Sequence, residues 1–368
     1  MTPPGHTAAV PPSLGPLRDV AALPGVTDVL VNGGDRVPGG HRVWFDRGRG
    51  LESTTVDLAG EDDVRALAVR LAAGAGRRLD DSMPWVDARL PGGIRLHAVV
   101  PPVTPYGTHL SLRLIGGPGF DLPALVAAGG APPAWVPVLT ALVRSRAAFL
   151  VIGGTGAGKT TLLAALLGLI PPSERIVLVE DVGELRPAHP HVVRLEARHA
   201  NVEGEGAVTL EDLVRQALRM RPDRIVVGEC RGAEVRELLS ALNTGHAGGC
   251  GTLHANAVAE VPARLEALGS LAGLAPAAVR TQAAAALDAV VRLQRGPHGR
   301  RITEIGVFSP GGHLEAGGSE PSLVVRPALV ADESDPFAPG RSGPGWPALA
   351  RRLGLRADAF PPQPEADP

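Results

Sequence analysis

A chain of 368 residues with 44% hydrophobic content is long enough for two or three domains and a sizeable core. Aromatics make up only 3%, so that core must be built from Ala, Val and Leu, and a formal net charge of −2 leaves no global electrostatic footprint for nucleic acid. Cys230 and Cys250 are the only cysteines and form no C-x-x-C pair, which excludes a disulfide framework and makes a reducing cytoplasm the expected compartment.

Residues 1–16 are rich in Pro and Gly and read as disordered, with no basic region leading into an apolar one as a signal peptide requires. Residues 17–120 read as a smaller α+β domain. Strands are expected over 28–32 and 42–46, and a helix over 61–73 that aligns Val64, Leu67, Ala68 and Leu71. Three alternating segments follow. Val86, Ala88 and Leu90 oppose Asp87 and Arg89; the turn Pro91-Gly92-Gly93 leads to a strand with Arg95 and His97 on its polar side; Leu110, Leu112 and Leu114 oppose Ser111 and Arg113. Arg89, Arg95, His97 and Arg113 therefore share one sheet face, which periodicity alone reads as an ordinary solvated surface.

Residues 121–137 continue a Gly- and Pro-rich stretch that starts at Gly116, and read as an inter-domain linker. From 138 to about 310 strands and helices alternate, which predicts a three-layer α/β domain. Strands are expected over 149–152, 175–179 and 224–227. Thr209-Leu210-Glu211-Asp212 resembles a helix capping box, with Leu213, Val214, Ala217 and Leu218 behind it at helical spacing. Residues 311–368 are rich in Pro, Gly, Asp and Glu and read as a mostly disordered tail with one short helix around 347–355. No run of about 18 apolar residues exists, so a membrane is expected to be reached only through a partner.

One lysine stands against 35 arginines, and that lysine, Lys159, lies inside Gly153-Gly154-Thr155-Gly156-Ala157-Gly158-Lys159-Thr160. This satisfies the G-x-x-x-x-G-K-[ST] phosphate-binding loop. Arginine is a planar fork, whereas lysine is a compact charge on a flexible stem that reaches between phosphates within a tight glycine loop. The apolar strand 149–152 precedes the loop. A helix follows from Thr161 until Pro171-Pro172, an order that aims backbone N–H groups at a polyphosphate. Gly153 through Thr161 are thus the expected contacts to a nucleoside triphosphate.

Thr160 offers a hydroxyl for Mg²⁺, which bridges the terminal phosphates in such enzymes. A second acidic ligand belongs at the end of a neighbouring strand. Here Ile225-Val226-Val227-Gly228-Glu229 has Gly228 where an Asp is usual, leaving Glu229 alone. A carboxylate directly after a buried strand needs a metal or water partner. Glu180, Asp181 and Glu184 follow another strand; such acids can orient or deprotonate a water, or simply cap a loop. His246 and His254 flank a glycine run, which points to a sensor of the γ-phosphate, and their spacing carries no zinc signature.

In sequence order the glycine loop, Glu180-Asp181-Val182-Gly183-Glu184, Val227-Gly228-Glu229-Cys230-Arg231-Gly232 and Asn243-Thr244-Gly245-His246 with Leu253-His254-Ala255-Asn256 resemble the Walker A, Asp, Walker B and His boxes of the type II/type IV secretion ATPase superfamily. Val31-Asn32-Gly33, Asp87-Ala88-Arg89-Leu90-Pro91 and Leu218-Arg219-Met220-Arg221-Pro222-Asp223 are similar to its tight-adherence (Tad) pilus and conjugal-transfer branch. Ala247 stands where the family commonly has an acid after the first His. The resemblance, from about Gly25 to Phe308, implies a RecA-like P-loop ATPase domain. It implies a hexameric, ATP- and Mg²⁺-dependent motor, cytoplasmic and held to the inner membrane by platform proteins. It further implies that Glu184 is the base for water, that Glu229 organises Mg²⁺ and water, and that Arg95 and Arg113 close over nucleotide. His254 joins Lys159, Glu184 and Glu229 as a catalytic candidate. Three other readings compete: a conjugation motor acting on DNA, a small-molecule P-loop kinase, and a nucleotide-binding scaffold without turnover.

Overall fold

The computed structural model describes residues 10–47, 50–114, 120–198, 205–296, 299–310 and 322–361. The chain divides into two compact units, Met1–Gly117 and Pro118–Pro368.

In the first unit a 3₁₀ turn over Pro12–Leu17 runs into α1 (Arg18–Ala21) and buries Leu14 and Leu17. The expectation of disorder over residues 1–16 does not describe this segment; residues 1–9 lie outside the described part. Strands β1 (Asp28–Val37), β2 (Gly40–Asp46) and β3 (Leu51–Val56) precede α2 (Glu61–Gly74). Then come β4 (Trp85–Arg89), β5 (Arg95–Val99) and β6 (His109–Arg113). All six strands pair antiparallel in the order β3-β2-β1-β6-β5-β4. Val64, Leu67, Ala68 and Leu71 of α2 are buried with Val86, Leu96, Leu110 and Leu112 of the sheet, as the two periodicities require.

The second unit opens with α3 (Leu122–Ala127) and α4 (Val136–Arg144). Beyond them lie β7 (Phe149–Ile152), α5 (Lys159–Leu167), β8 (Ile176–Glu180), β9 (Val192–Glu196), α6 (Leu210–Leu218), β10 (Arg224–Cys230), α7 (Glu234–Asn243) and β11 (Cys250–Leu253). α8 (Val261–Leu271), α9 (Pro276–Ala286), β12 (Ala289–Gly296), β13 (Gly299–Pro310), β14 (Leu323–Val330), β15 (Arg341–Ser342) and α10 (Trp346–Leu353) complete it. The sheet order is β15-β14-β13-β12-β7-β11-β10-β8-β9. Strands from β12 to β9 in that order are mutually parallel, while the β12–β13, β13–β14 and β14–β15 pairs are antiparallel. Phe149 and Val151 pack on one face with Leu139, Leu163 and Leu349, while Leu150 and Ile152 pack on the other with Val214, Leu238, Leu265 and Val279. Helices thus cover both faces, giving the expected three layers.

Two boundaries differ from expectation. Residues 121–137 are part of the second unit's core: Asp121 caps α3 by accepting from Ala124 N–H at 2.8 Å. Trp135 is fully buried and donates to the Pro339 carbonyl at 2.8 Å. The Pro and Gly residues here start and stop a helix instead of spacing domains. The segment 322–361 is likewise folded. β14 extends the sheet and α10 buries Trp346, Leu349, Ala350 and Leu353, so the expectation of a mostly disordered tail does not describe it. Residues 311–321 and 362–368 lie outside the described part.

Candidate nucleotide-binding site

The carboxyl ends of β7, β11, β10 and β8 lie along one edge of the parallel sheet, the edge where open α/β folds bind ligands. The loop 153–158 leaves β7 there. Gly153 has φ +152°, and a Cβ on it would come within 2.5 Å of the Leu293 carbonyl oxygen, so only glycine lets the loop pass β12. Gly158 at φ +97° turns the chain into α5, whose first residue is Lys159. The N–H groups of that first turn have no partner within the helix.

Lys159 is buried, and its Nζ donates to the Gly153 and Gly154 carbonyls at 2.9 and 3.1 Å. Burial lowers its pKa, an effect that the Glu229 carboxylate opposes. Thr160 follows half-buried and Thr161 exposed. Because β11 lies between β7 and β10, the residue after β11 stands between the loop and the end of β10. That residue is His254. Its Nε2 is 3.4 Å from Lys159 Nζ and 2.6 Å from Glu229 Oε1, and Arg231 pairs with the other Glu229 oxygen. An ammonium can only donate and a carboxylate only accept, so one ring nitrogen serves one of them at a time. Burial and the Lys159 charge lower the His254 pKa against the pull of Glu229, favouring neutral imidazole.

His246 is not part of this cluster. It follows α7 and precedes β11, which places it at the amino-terminal edge of the parallel sheet, opposite His254. The glycine run between the two histidines is the strand entry itself; Gly251, inside β11, would meet the Val227 carbonyl oxygen at 2.7 Å with a Cβ. Cys230 and Cys250 are buried free thiols. Burial pushes Cys250 up to about 12 and Cys230 higher still, so both stay protonated.

Glu180 ends β8, and Asp181 and Glu184 follow it, both half-buried. Glu180 is 3% exposed and its Oε1 accepts from the Glu184 and Leu185 N–H groups at 2.8 and 2.9 Å. Burial raises its pKa, and the two N–H donors partly offset that rise. Sequence reasoning missed Arg300 on β13, whose Nε donates to the Gly156 carbonyl at 2.7 Å. Nothing in the residue pattern signals this contact, because it depends on the β12–β13 hairpin folding beside the loop.

In the first unit the register pairs Arg89 with Arg95 and Arg95 with Arg113, so the three arginines form a row across β4, β5 and β6. Arg95 Nη2 is 3.7 Å from Asp87 Oδ1, His97 Nδ1 is 3.3 Å from the same oxygen, and Arg113 Nε is 3.1 Å from Asp28 Oδ1.

A strand–glycine loop–helix unit, with an acid at the end of a strand one removed from it, defines a P-loop nucleoside triphosphatase. Residues 25–317 match the model of the type II/IV secretion system protein family. The chain belongs to that family, and it is an ATPase of it. It is similar to a Mycobacterium tuberculosis protein that bears the name of a conjugal transfer protein, with 56% identity over 301 residues that cover 80% of this chain and 84% of the relative. It is also similar to the type IV secretion system protein PtlH of Bordetella pertussis, 38% identical over 239 residues, 58% of this chain and 70% of that one. Among solved structures, the pilus retraction motor PilT with bound ADP shares the fold at a TM-score of 0.55 and 23% identity, covering 87% of this chain and 83% of that chain.

Proposed function

We propose that this ATPase is the motor of a type II/type IV-like secretion or Tad-type pilus assembly system, converting ATP hydrolysis in an oligomeric ring into work on inner-membrane platform proteins. The observation that carries this reading is the convergence of Lys159, His254 and Glu229 at one sheet edge, with the loop bearing Glu184 rising from the same edge. Lys159 is the cation for the β- and γ-phosphates, and the backbone of Gly153–Thr161 cradles them. Thr160 and Glu229 are the residues that would hold Mg²⁺. Among the described residues no cluster of three or more His, Cys, Asp or Glu could hold a metal by itself, which suits an ion bound mainly through phosphate oxygens and water. Glu184 takes the proton of the attacking water, and His254 reports the γ-phosphate to Glu229. Among the described residues no helix is long and apolar enough to cross a membrane, and the proposed place of action is the cytoplasmic face of the inner membrane, reached through the platform.

Lys159→Ala tests the assignment. Phosphate release from ATP is expected to fall to background while the unfolding midpoint stays near that of the parent. Unchanged turnover in the purified variant sinks the P-loop reading.

A conjugation motor is the second reading, and the name of the Mycobacterium tuberculosis relative favours it. It predicts hydrolysis stimulated by DNA, whereas the secretion reading predicts none. The net charge of −2 and the scarcity of aromatics speak for the latter.

A further inference from the structure

Gly228 occupies the strand position where P-loop enzymes usually carry an acid, and its neighbourhood shows what replaces that acid. The parallel register sets Val227 of β10 beside Val179 of β8, so Gly228 and Glu180 are the next neighbours across the two strands. A Cβ on Gly228 would lie 2.7 Å from Glu180 Cγ and 3.3 Å from its Oε1. Real Cβ atoms do not approach that closely, so the carboxyl arm of Glu180 fills the space that any side chain at 228 would need. One oxygen of that arm holds the N–H groups of Glu184 and Leu185. The other is buried and has no hydrogen-bond partner among the described residues. An unpaired buried oxygen costs free energy and calls for a compensating role.

We propose that Glu180 is a positioning residue for hydrolysis: packed over Gly228, it takes over the place of the missing strand-end acid and pins the 181–185 loop so that the Glu184 carboxylate faces the attacking water. The inference rests on the ATPase reading with Glu184 as base. Misplacing a reacting group by about 1 Å can cost about 10²-fold in rate. Glu180→Ala is therefore expected to lower kcat about 10²-fold, with the KM for ATP and the affinity for a non-hydrolysable ATP analogue within twofold of the parent. Glu180→Gln still offers an oxygen to both N–H groups and should recover at least tenfold of that loss. Gly228→Ala should displace Glu180 and lower kcat in the same way, yet add no further loss in the Glu180→Ala background, where the clash is gone.

Four results overturn the proposal: wild-type kcat in Glu180→Ala, analogue affinity falling as far as kcat, Gln no better than Ala, or additive losses in the double variant. Thermal unfolding of each variant monitors the fold. If Glu180→Ala does not fold, Gly228→Ala and Glu180→Gln carry the test, and wild-type kcat in Gly228→Ala overturns the idea. Glu184→Gln, measured in parallel, separates the two layers. Wild-type hydrolysis there removes the base assignment and this inference with it. An inactive Glu184→Gln beside a fully active Glu180→Ala removes only the positioning role.

Discussion

The side chains at the sheet edge divide by what they can exchange. Lys159 can only donate, Glu229 can only accept while ionised, and His254 between them can do either. Glu184→Gln is expected to keep ATP affinity and lose turnover, because an amide of nearly the same shape cannot take a proton. Glu229→Gln is expected to lose turnover in a way that added Mg²⁺ partly restores. Steady-state phosphate release across a Mg²⁺ series distinguishes the two, and wild-type turnover in Glu184→Gln would move the base elsewhere. Glu180 supplies a stability prediction as well. Its folded pKa is raised above the ordinary value of 4.5, so folding favours the protonated form. The stability this contributes is fully present below that value and is lost as pH rises through the folded pKa. Glu180→Gln should therefore gain in melting temperature relative to the parent as pH is raised from 4 to 8, and a constant difference across that range would contradict the burial argument. Lys159, Glu184, Glu229 and His254 could be proposed from the sequence because each sits in a local pattern. The grip of Glu180 on Gly228 was not, since it depends on which strands become neighbours and in what register.

At the scale of elements, the sequence patterns that survived were those with a clear period. The α2 stripe, the three alternating strands and the capping box at Thr209, where Asp212 N–H bonds the Thr209 hydroxyl at 3.1 Å, all lie where the spacing put them. What escaped was a strand hidden among Gly and Pro. β14 contains Pro327, which argues against a strand, yet it pairs with β13 across a register irregularity next to Gly306. α10, with Trp346, Leu349, Ala350 and Leu353 at helical spacing, lies where a short helix was expected around 347–355, but the tail around it was not expected to fold. The helix is an anchor. Trp346 is 1% exposed, donates from Nε1 to the Ala357 carbonyl at 2.7 Å and meets the Phe360 ring edge-on at 5.0 Å. Trp346→Ala should destabilise the second unit by about 3–5 kcal/mol, read from denaturant unfolding. A loss under about 1 kcal/mol would return this segment to the status of a dispensable tail.

For the whole molecule the question is whether hydrolysis is tied to assembly. Three arginines lie directly opposite one another across β4, β5 and β6, where like charges disfavour each other, with Asp87 beside Arg95 and Asp28 beside Arg113. We propose that Arg95 or Arg113 reaches the triphosphate only once copies of the chain have assembled into a ring. An arginine supplied in this way can be worth about 10³-fold or more in phosphoryl transfer. Hydrolysis would then wait for ring closure, the coupling a motor requires. Specific activity is expected to rise with protein concentration in step with the mass seen by light scattering. Arg95→Ala or Arg113→Ala should lower turnover without preventing nucleotide binding. A monomer with full, concentration-independent activity contradicts the ring. Wild-type rates in both arginine variants would leave the row as the solvated face that strand periodicity alone describes.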